Sequence, residues 1–329
     1  MRIARLAWYA SVIVGFCAGL TCSLLLTHQR TRIVWLTKGE DLHLRPTHCT
    51  ATTTLVTAYY DLGTSSKHRR AEYASWYKTF FLLADSMVIF TDEKSVQELV
   101  KIRRQSRGCS LFVVQNLRHT FVGTAFNWSG EQERDPERHI HKSGELYLIW
   151  NQKVAWLFSV SRENPFHSSY FFWADSGQFR GSAFQTEKLH NGVVWISHAY
   201  LVPRGRIAIL SITPFTVAEL ESTDKNVSII HSTYDRLAAG NFGGDGAAVA
   251  KFYSVYYMIL SSYFNRGAFA GKEQSILSST CLAVPSLCYI VDSRKLVAQH
   301  VVDNPWFAFQ PVLHGIVQNV PIYNPFTDV

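Results

Sequence analysis

Four short apolar runs constrain this chain more than any other feature. They are Thr54-Leu-Val-Thr-Ala-Tyr-Tyr60, Met87-Val-Ile-Phe-Thr91, Leu111-Phe-Val-Val114 and Tyr170-Phe-Phe-Trp173. Each is continuous rather than alternating, and rich in β-branched and aromatic side chains. Such runs read as strands buried on both faces. Helix-like stretches separate the first three, from about Arg69 to Ala84 and from Asp92 to Arg104. In the second, Val96, Leu99, Val100 and Arg103 recur at helical spacing. This succession implies right-handed βαβ units and a mainly parallel sheet. With 47% hydrophobic and 17% charged residues, the chain is neither disordered nor collagen-like.

Further elements follow. Glu145 to Val160 has a helical pattern with Leu146, Ile149, Trp150 and Val154 on one face, stopped at Asn164-Pro165. Val193-Val-Trp-Ile196 and Ile207 to Ile212 read as strands, and Leu287 to Val291 as a late strand. Gly240 to Gly246 reads as a glycine-rich turn opening a helix that runs to about Tyr263, and Glu273 to Leu282 as another helix. Residues 127–143 read as a long loop or a partly mobile flap, and no internal repeat is seen.

Leu6 to Leu26 carries no charge and is long enough to cross a hydrocarbon core of about 30 Å as a helix. A cleaved signal peptide is the rival, but no A-x-A site ends the run. The expectation is an uncleaved anchor: residues 1–27 form a cytosolic tip and transmembrane signal anchor, 28–50 a stem, and 51–329 the folded domain. A single-pass type II protein of the secretory pathway, in the Golgi or ER, follows. The sequons Asn127-Trp-Ser129 and Asn226-Val-Ser228 lie on the lumenal side of that arrangement. Cys281 and Cys288 stand close enough for a loop-closing disulfide or remain two buried thiols. No C-x-x-C pair speaks for structural zinc.

The net charge is +7, dispersed apart from Lys67-His-Arg-Arg70 and Arg103-Arg104. It suits an anionic ligand, and nucleic acid is not expected as a partner. Asp175 ends the fourth apolar run, so its carboxylate falls at the carboxyl end of a buried strand, where open α/β sheets bind ligands. It serves there as a metal ligand, or caps a turn with Gly177. A single Asp175-Ser-Gly triplet does not make an aspartic protease, which needs two carboxylates. Asp245 is placed as a general base for a hydroxyl or as a helix cap. Gly243 and Gly244 let a ligand approach the backbone closely. Glu273-Gln274 opens a helix, either as ordinary first-turn acidity or facing sugar hydroxyls. His139 and His141 have metal-ligand spacing, but their loop lacks neighbouring carboxylates on a rigid element.

Four blocks carry a resemblance. They are Thr54-Leu-Val-Thr-Ala-Tyr-Tyr-Asp-Leu-Gly63; Met87-Val-Ile-Phe-Thr-Asp92; Asn164-Pro-Phe with Phe172-Trp-Ala-Asp-Ser-Gly-Gln-Phe-Arg180; and Ala239-Gly-Asn-Phe-Gly-Gly-Asp245 with Gly271-Lys-Glu-Gln-Ser-Ile-Leu277. In this order, over roughly residues 52 to 291, they resemble the HtrL/YibB family. Beyond it the chain is similar to nucleotide-sugar glycosyltransferases of the GT-A type. The resemblance implies one α/β GT-A-like (Rossmann-like) domain with a mainly parallel central sheet. It implies a nucleotide-sugar donor and a glycan or glycoconjugate acceptor. Thr57, Tyr59 and Asp92 would hold the nucleotide, and Lys153 and Arg180 its phosphates. Asp175 would hold Mn2+ or Mg2+. Asp245 or Glu273 would act on the acceptor hydroxyl, with Gly243, Gly244 and Gln274 beside it. Asp175-Ser-Gly stands where such enzymes carry D-x-D, so one motif carboxylate is missing. A non-catalytic glycan- or protein-binding member of the same fold is the alternative.

Overall fold

The apolar runs lie side by side at the centre of one nine-stranded sheet. The computed structural model describes residues 32–37, 40–42, 49–63, 70–141, 143–180, 192–221 and 234–328. The strands are β1 (Arg32–Thr37), β2 (Glu40–Leu42), β3 (Thr53–Tyr59), β4 (Ser86–Thr91), β5 (Ser110–Val114), β6 (Tyr170–Ala174), β7 (Ile207–Ser211), β8 (Leu237–Asp245) and β9 (Cys288–Asp292). Their order is β2-β1-β5-β4-β3-β6-β8-β7-β9. β5, β4, β3 and β6 pair in parallel, as do β7 and β9. β8 runs antiparallel to β6 and β7, and β1 antiparallel to β5 and β2. The sheet is therefore mostly parallel, with β1 and β8 running against the rest.

Continuous apolar strands need cover on both faces. The helices are α1 (Arg70–Phe81), α2 (Val96–Arg103), α3 (Phe121–Ala125), α4 (Glu131–Arg134), α5 (Glu145–Glu163), α6 (Val217–Glu221), α7 (Gly246–Asn265), α8 (Glu273–Ala283), α9 (Ser293–Ala298) and α10 (Phe309–Leu313). On one face Val56, Ala58 and Trp173 pack with Trp156 of α5, Phe252 and Tyr256 of α7 and Leu277 of α8. On the other, Leu55, Ile89 and Phe172 pack with Phe80 of α1, Leu99 of α2 and Phe309 of α10. Asn164 ends α5 in the left-handed region at φ 41°, its N–H donating to Val160 O. Among the described residues no helix is long and apolar enough to cross a membrane. Leu6–Leu26, Lys67–Arg69 and the Asn226 sequon lie outside the described residues.

Several expectations change. Part of the 28–50 stretch, expected as a stem, supplies β1 and β2, with β1 paired along β5. Residues 193–196 are not a strand. The N–H groups of Trp195 and Ile196 donate to the buried Asp85 carboxylate at 2.7 and 3.0 Å, so they are unavailable to a ladder. The glycine-rich run 240–246 is mostly strand β8, not a turn. A Cβ on Gly243 would lie 2.2 Å from Phe171 O, and one on Gly244 2.2 Å from Arg206 O. Glycine there permits close strand approach. Cys281 and Cys288 are joined, and Cys49 is joined to Cys109.

Candidate functional site

The strand order defines the site. From β3 the chain moves through β4 to β5, then returns to place β6 on the other side of β3. A crevice forms where strand order reverses, at the carboxyl ends of the two strands. There a cavity of about 540 Å³ opens, within the usual range of small-molecule pockets. Tyr59, Tyr60, Asp61, Trp173 and Asp175 line it from β3, β6 and their ends. A break in the β7–β8 register completes the wall. Ile209 faces Phe242 while Leu210 faces Ala238, and the skipped Ala239 and Gly240 line the cavity.

Asp175 sits at this crevice as its strand-end position implies. Its N–H donates to Gly240 O, and Oδ1 accepts from Trp173 Nε1 at 2.8 Å. The side chain is 38% exposed. Lys153, on the buried side of α5, reaches it from below: Nζ lies 2.9 Å from Oδ1 and 3.2 Å from Oδ2. The same ammonium donates to Glu273 Oε1 at 2.8 Å and to Ala239 O at 3.2 Å. Burial alone would pull this lysine's pKa down, but the two carboxylates outweigh it and hold it above the ordinary lysine range. Burial pushes the Glu273 pKa up, with Lys153 opposing. Glu273 Oε2 is buried and has no hydrogen-bond partner among the described residues. Asn151, two residues before Lys153 on α5, donates to Ala270 O and Gly271 O and so fixes the start of α8 that carries Glu273.

The third position of Asp175-Ser-Gly, where a second carboxylate would stand, is crowded. A Cβ on Gly177 would lie 2.8 Å from Tyr73 Cε2, so a side chain at the third position of Asp175-Ser-Gly meets a ring. Among the described residues no three His, Cys, Asp or Glu side chains come together as metal ligands. Both Asp175 oxygens face the Lys153 ammonium. The described residues alone do not assemble a Mn2+ or Mg2+ site around Asp175.

Lys153, Arg180, Glu273, Gln274 and Tyr59 also line the cavity. Arg180 lies with its guanidinium 4.8 Å from the Trp76 ring and donates to Gly177 O. Other expected residues fall elsewhere. Thr57 is buried within β3, off the cavity. Asp92 accepts from Ser95 N and, at 3.3 Å, from the N–H of the lining residue Asp61, so it positions rather than lines. Asp245 lies at the far end of the sheet, opposite Tyr170. It caps α7, accepting from Ala247, Ala248 and Gly205 N–H groups. Gly243 and Gly244 are enclosed in β8.

Other lining groups had no such role in the sequence reading. Lys272 Nζ lies 2.6 Å from Glu137 and 3.0 Å from Asp235. Burial would lower its pKa, but both carboxylates raise it. His141 also lines the cavity. Residues 127–141, expected as a long loop or a partly mobile flap, are tied down at two points: buried Glu131 accepts from Ala270 N–H, and buried Asp135 from Tyr147 OH. Although the whole chain is cationic, the described wall is acidic in balance. Lys153, Arg180 and Lys272 face Asp61, Glu137, Asp175, Asp235 and Glu273.

The architecture and site are those of an α/β domain with a switch-point cavity. Residues 51–298 match the family model HtrL_YibB, described as a bacterial protein of unknown function, and the chain belongs to this family. No curated protein matches the sequence. Among solved structures, the chain is similar to mouse xyloside xylosyltransferase 1 in its apo form. The identity is 10%, over 73% of this chain and 85% of that one, with a TM-score of 0.42.

Proposed function

We propose that this protein is a glycosyltransferase, moving a sugar from a nucleotide-sugar donor to a hydroxyl of a glycan or glycoconjugate. One observation carries the reading. A buried lysine is clamped between Asp175 and Glu273 at the switch-point crevice, and Glu273 keeps an unpartnered buried oxygen beside the cavity. Asp175, its side chain 38% exposed, keeps a carboxylate face toward the cavity, and sugar hydroxyls supply donors in number to such an acceptor. The remaining carboxylates of the wall accept from hydroxyls in the same way, and Trp150 and Trp306 line the same cavity, as aromatic residues beside sugar rings do. Arg180 takes the phosphates, as a guanidinium pairs with phosphate oxygens through parallel N–H bonds. Lys153 balances the charge of Asp175 and Glu273 at the cavity wall.

The N-terminal run Leu6–Leu26 serves in this reading as an uncleaved anchor, with residues 51–329 in the lumen of the ER or Golgi. Asn127 and Ser129 of the first sequon are exposed, as attachment of a glycan requires. Sequencing the mature N-terminus tests the anchor, and a start beyond Leu26 removes it.

The test of the activity is a thermal-shift series of the protein with nucleoside diphosphates, nucleotide sugars and free sugars. Nucleotide binding at about 100 times Kd adds about 2.7 kcal/mol to stability. Stabilisation by free sugars with none by any nucleotide would replace transfer with a non-catalytic glycan-binding role.

A further inference from the structure

The cavity wall holds a histidine that the reading above does not use. His141 Nδ1 lies 2.7 Å from Asp135 Oδ2, and both side chains are buried. The same oxygen accepts from Tyr147 OH at 2.7 Å, while Asp135 Oδ1 accepts from Glu137 N–H at 2.8 Å. Burial and the neighbouring Asp135 keep Tyr147 a neutral phenol, able to donate. Trp150 meets the imidazole edge-on, with ring centres 4.9 Å apart. The ring is therefore fixed in place and in tautomer. A carboxylate that binds one ring nitrogen assigns the proton to it and leaves the other as the base. Here Asp135 takes Nδ1, so Nε2 is the nitrogen left for a ligand in the cavity that His141 lines.

We propose that His141 is the general base of the transfer, and the proposal rests on the glycosyltransferase reading. The acceptor's O–H bond breaks and its proton passes to Nε2. The acceptor oxygen forms a bond to the anomeric carbon of the donor sugar. The bond from that carbon to the phosphate oxygen breaks, and its electron pair leaves with the nucleoside diphosphate. Asp135 stabilises the resulting imidazolium. A single displacement of this kind inverts the anomeric configuration. Asp245 and Glu273, the two acids expected to act on the acceptor hydroxyl, are less suited to the task. Asp245 spends its oxygens on backbone amides at the far end of β8, and Glu273 Oε1 shares the Lys153 ammonium.

The experiment follows nucleoside diphosphate release by the full chain from a panel of UDP- and GDP-sugars, with methyl glycosides as acceptors. His141→Gln should lower turnover by about 10²–10⁴-fold, with nucleoside diphosphate affinity unchanged. Imidazole should restore part of the turnover of His141→Gly, which a merely structural role would not allow. NMR of the product should show inversion. Turnover of His141→Gln within about threefold of wild type, or retention of configuration, would overturn the proposal and leave the transferase reading standing. No turnover of any nucleotide sugar by the wild type would overturn both. Where the variants do not fold, ¹⁵N NMR of the wild type decides. His141 should carry its proton on Nδ1, and an Nε2–H tautomer would overturn the assignment.

Discussion

Asp175 and Asp245 stand at opposite ends of two paired strands, β6 and β8. Both follow apolar or glycine-rich strand residues, and both are short carboxylates at the end of an element. Asp245 has become part of the fold, with its oxygens taken by three backbone N–H groups. Among the described residues the Asp175 carboxylate is bound by two side chains, Lys153 and Trp173, and it keeps a face to the cavity. The local pattern is nearly the same, and the partner set decides the role. Amides freeze a carboxylate into structure, whereas an ammonium on a neighbouring helix leaves it able to meet a ligand.

The contrast can be broken most severely at Lys153. Lys153→Met leaves Glu273 buried without its cation, and the expected loss is about 3–5 kcal/mol, read as a lowered denaturant midpoint. Adding Glu273→Gln should recover most of it. Stability equal to wild type in Lys153→Met would mean that the clamp holds nothing.

The same substitution at the two aspartates then sharpens the comparison. Asp175→Asn should cut turnover by about 10²-fold or more. It should cost no more than about 1 kcal/mol of stability, because Asp175 is partly exposed and Lys153 keeps Glu273. Asp245→Asn should do the reverse. One of its two terminal groups must turn N–H toward N–H, at Gly205 or at the start of α7, which costs about 1–3 kcal/mol. Turnover per folded molecule should hold. Exchanged results would exchange the two roles.

The smallest effect is at high pH. The folded chain holds the Lys153 proton more tightly than the unfolded one, so the stabilisation is fully present below the ordinary lysine value of about 10.4. It fades as pH climbs beyond that value. Wild type should therefore lose stability faster than Lys153→Met in that window, as followed by denaturant titration, and equal slopes would remove Lys153 from the linkage.

The parallel centre of the sheet was legible because β3, β4, β5 and β6 are buried on both faces, and continuous apolar runs report this directly. The position of Asp175 came with them. Apolar character misled at 193–196, where the amides are claimed by Asp85, an acid more than 100 residues away. Glycine misled at 240–246, since the same residue serves a turn and a crowded strand, and only the neighbouring Phe171 and Arg206 carbonyls tell them apart. The spacing of His139 and His141 drew attention to a metal. The partner of His141 is instead Asp135, within an irregular segment where no period marks which side chains meet. Contacts such as Lys272 with Glu137 and Asp235 join distant parts of the chain, and no local pattern encodes them.

One detail of α8 has a consequence for how it docks. Lys272 and Glu273 are consecutive, yet the first is held by Glu137 and Asp235 and the second by Lys153. If the helix started one residue out of step, acid would face acid at one place or ammonium would face ammonium at the other. Two adjacent letters of opposite charge thus work as a parity check on assembly: the correct seating is rewarded twice, and its nearest error is repelled.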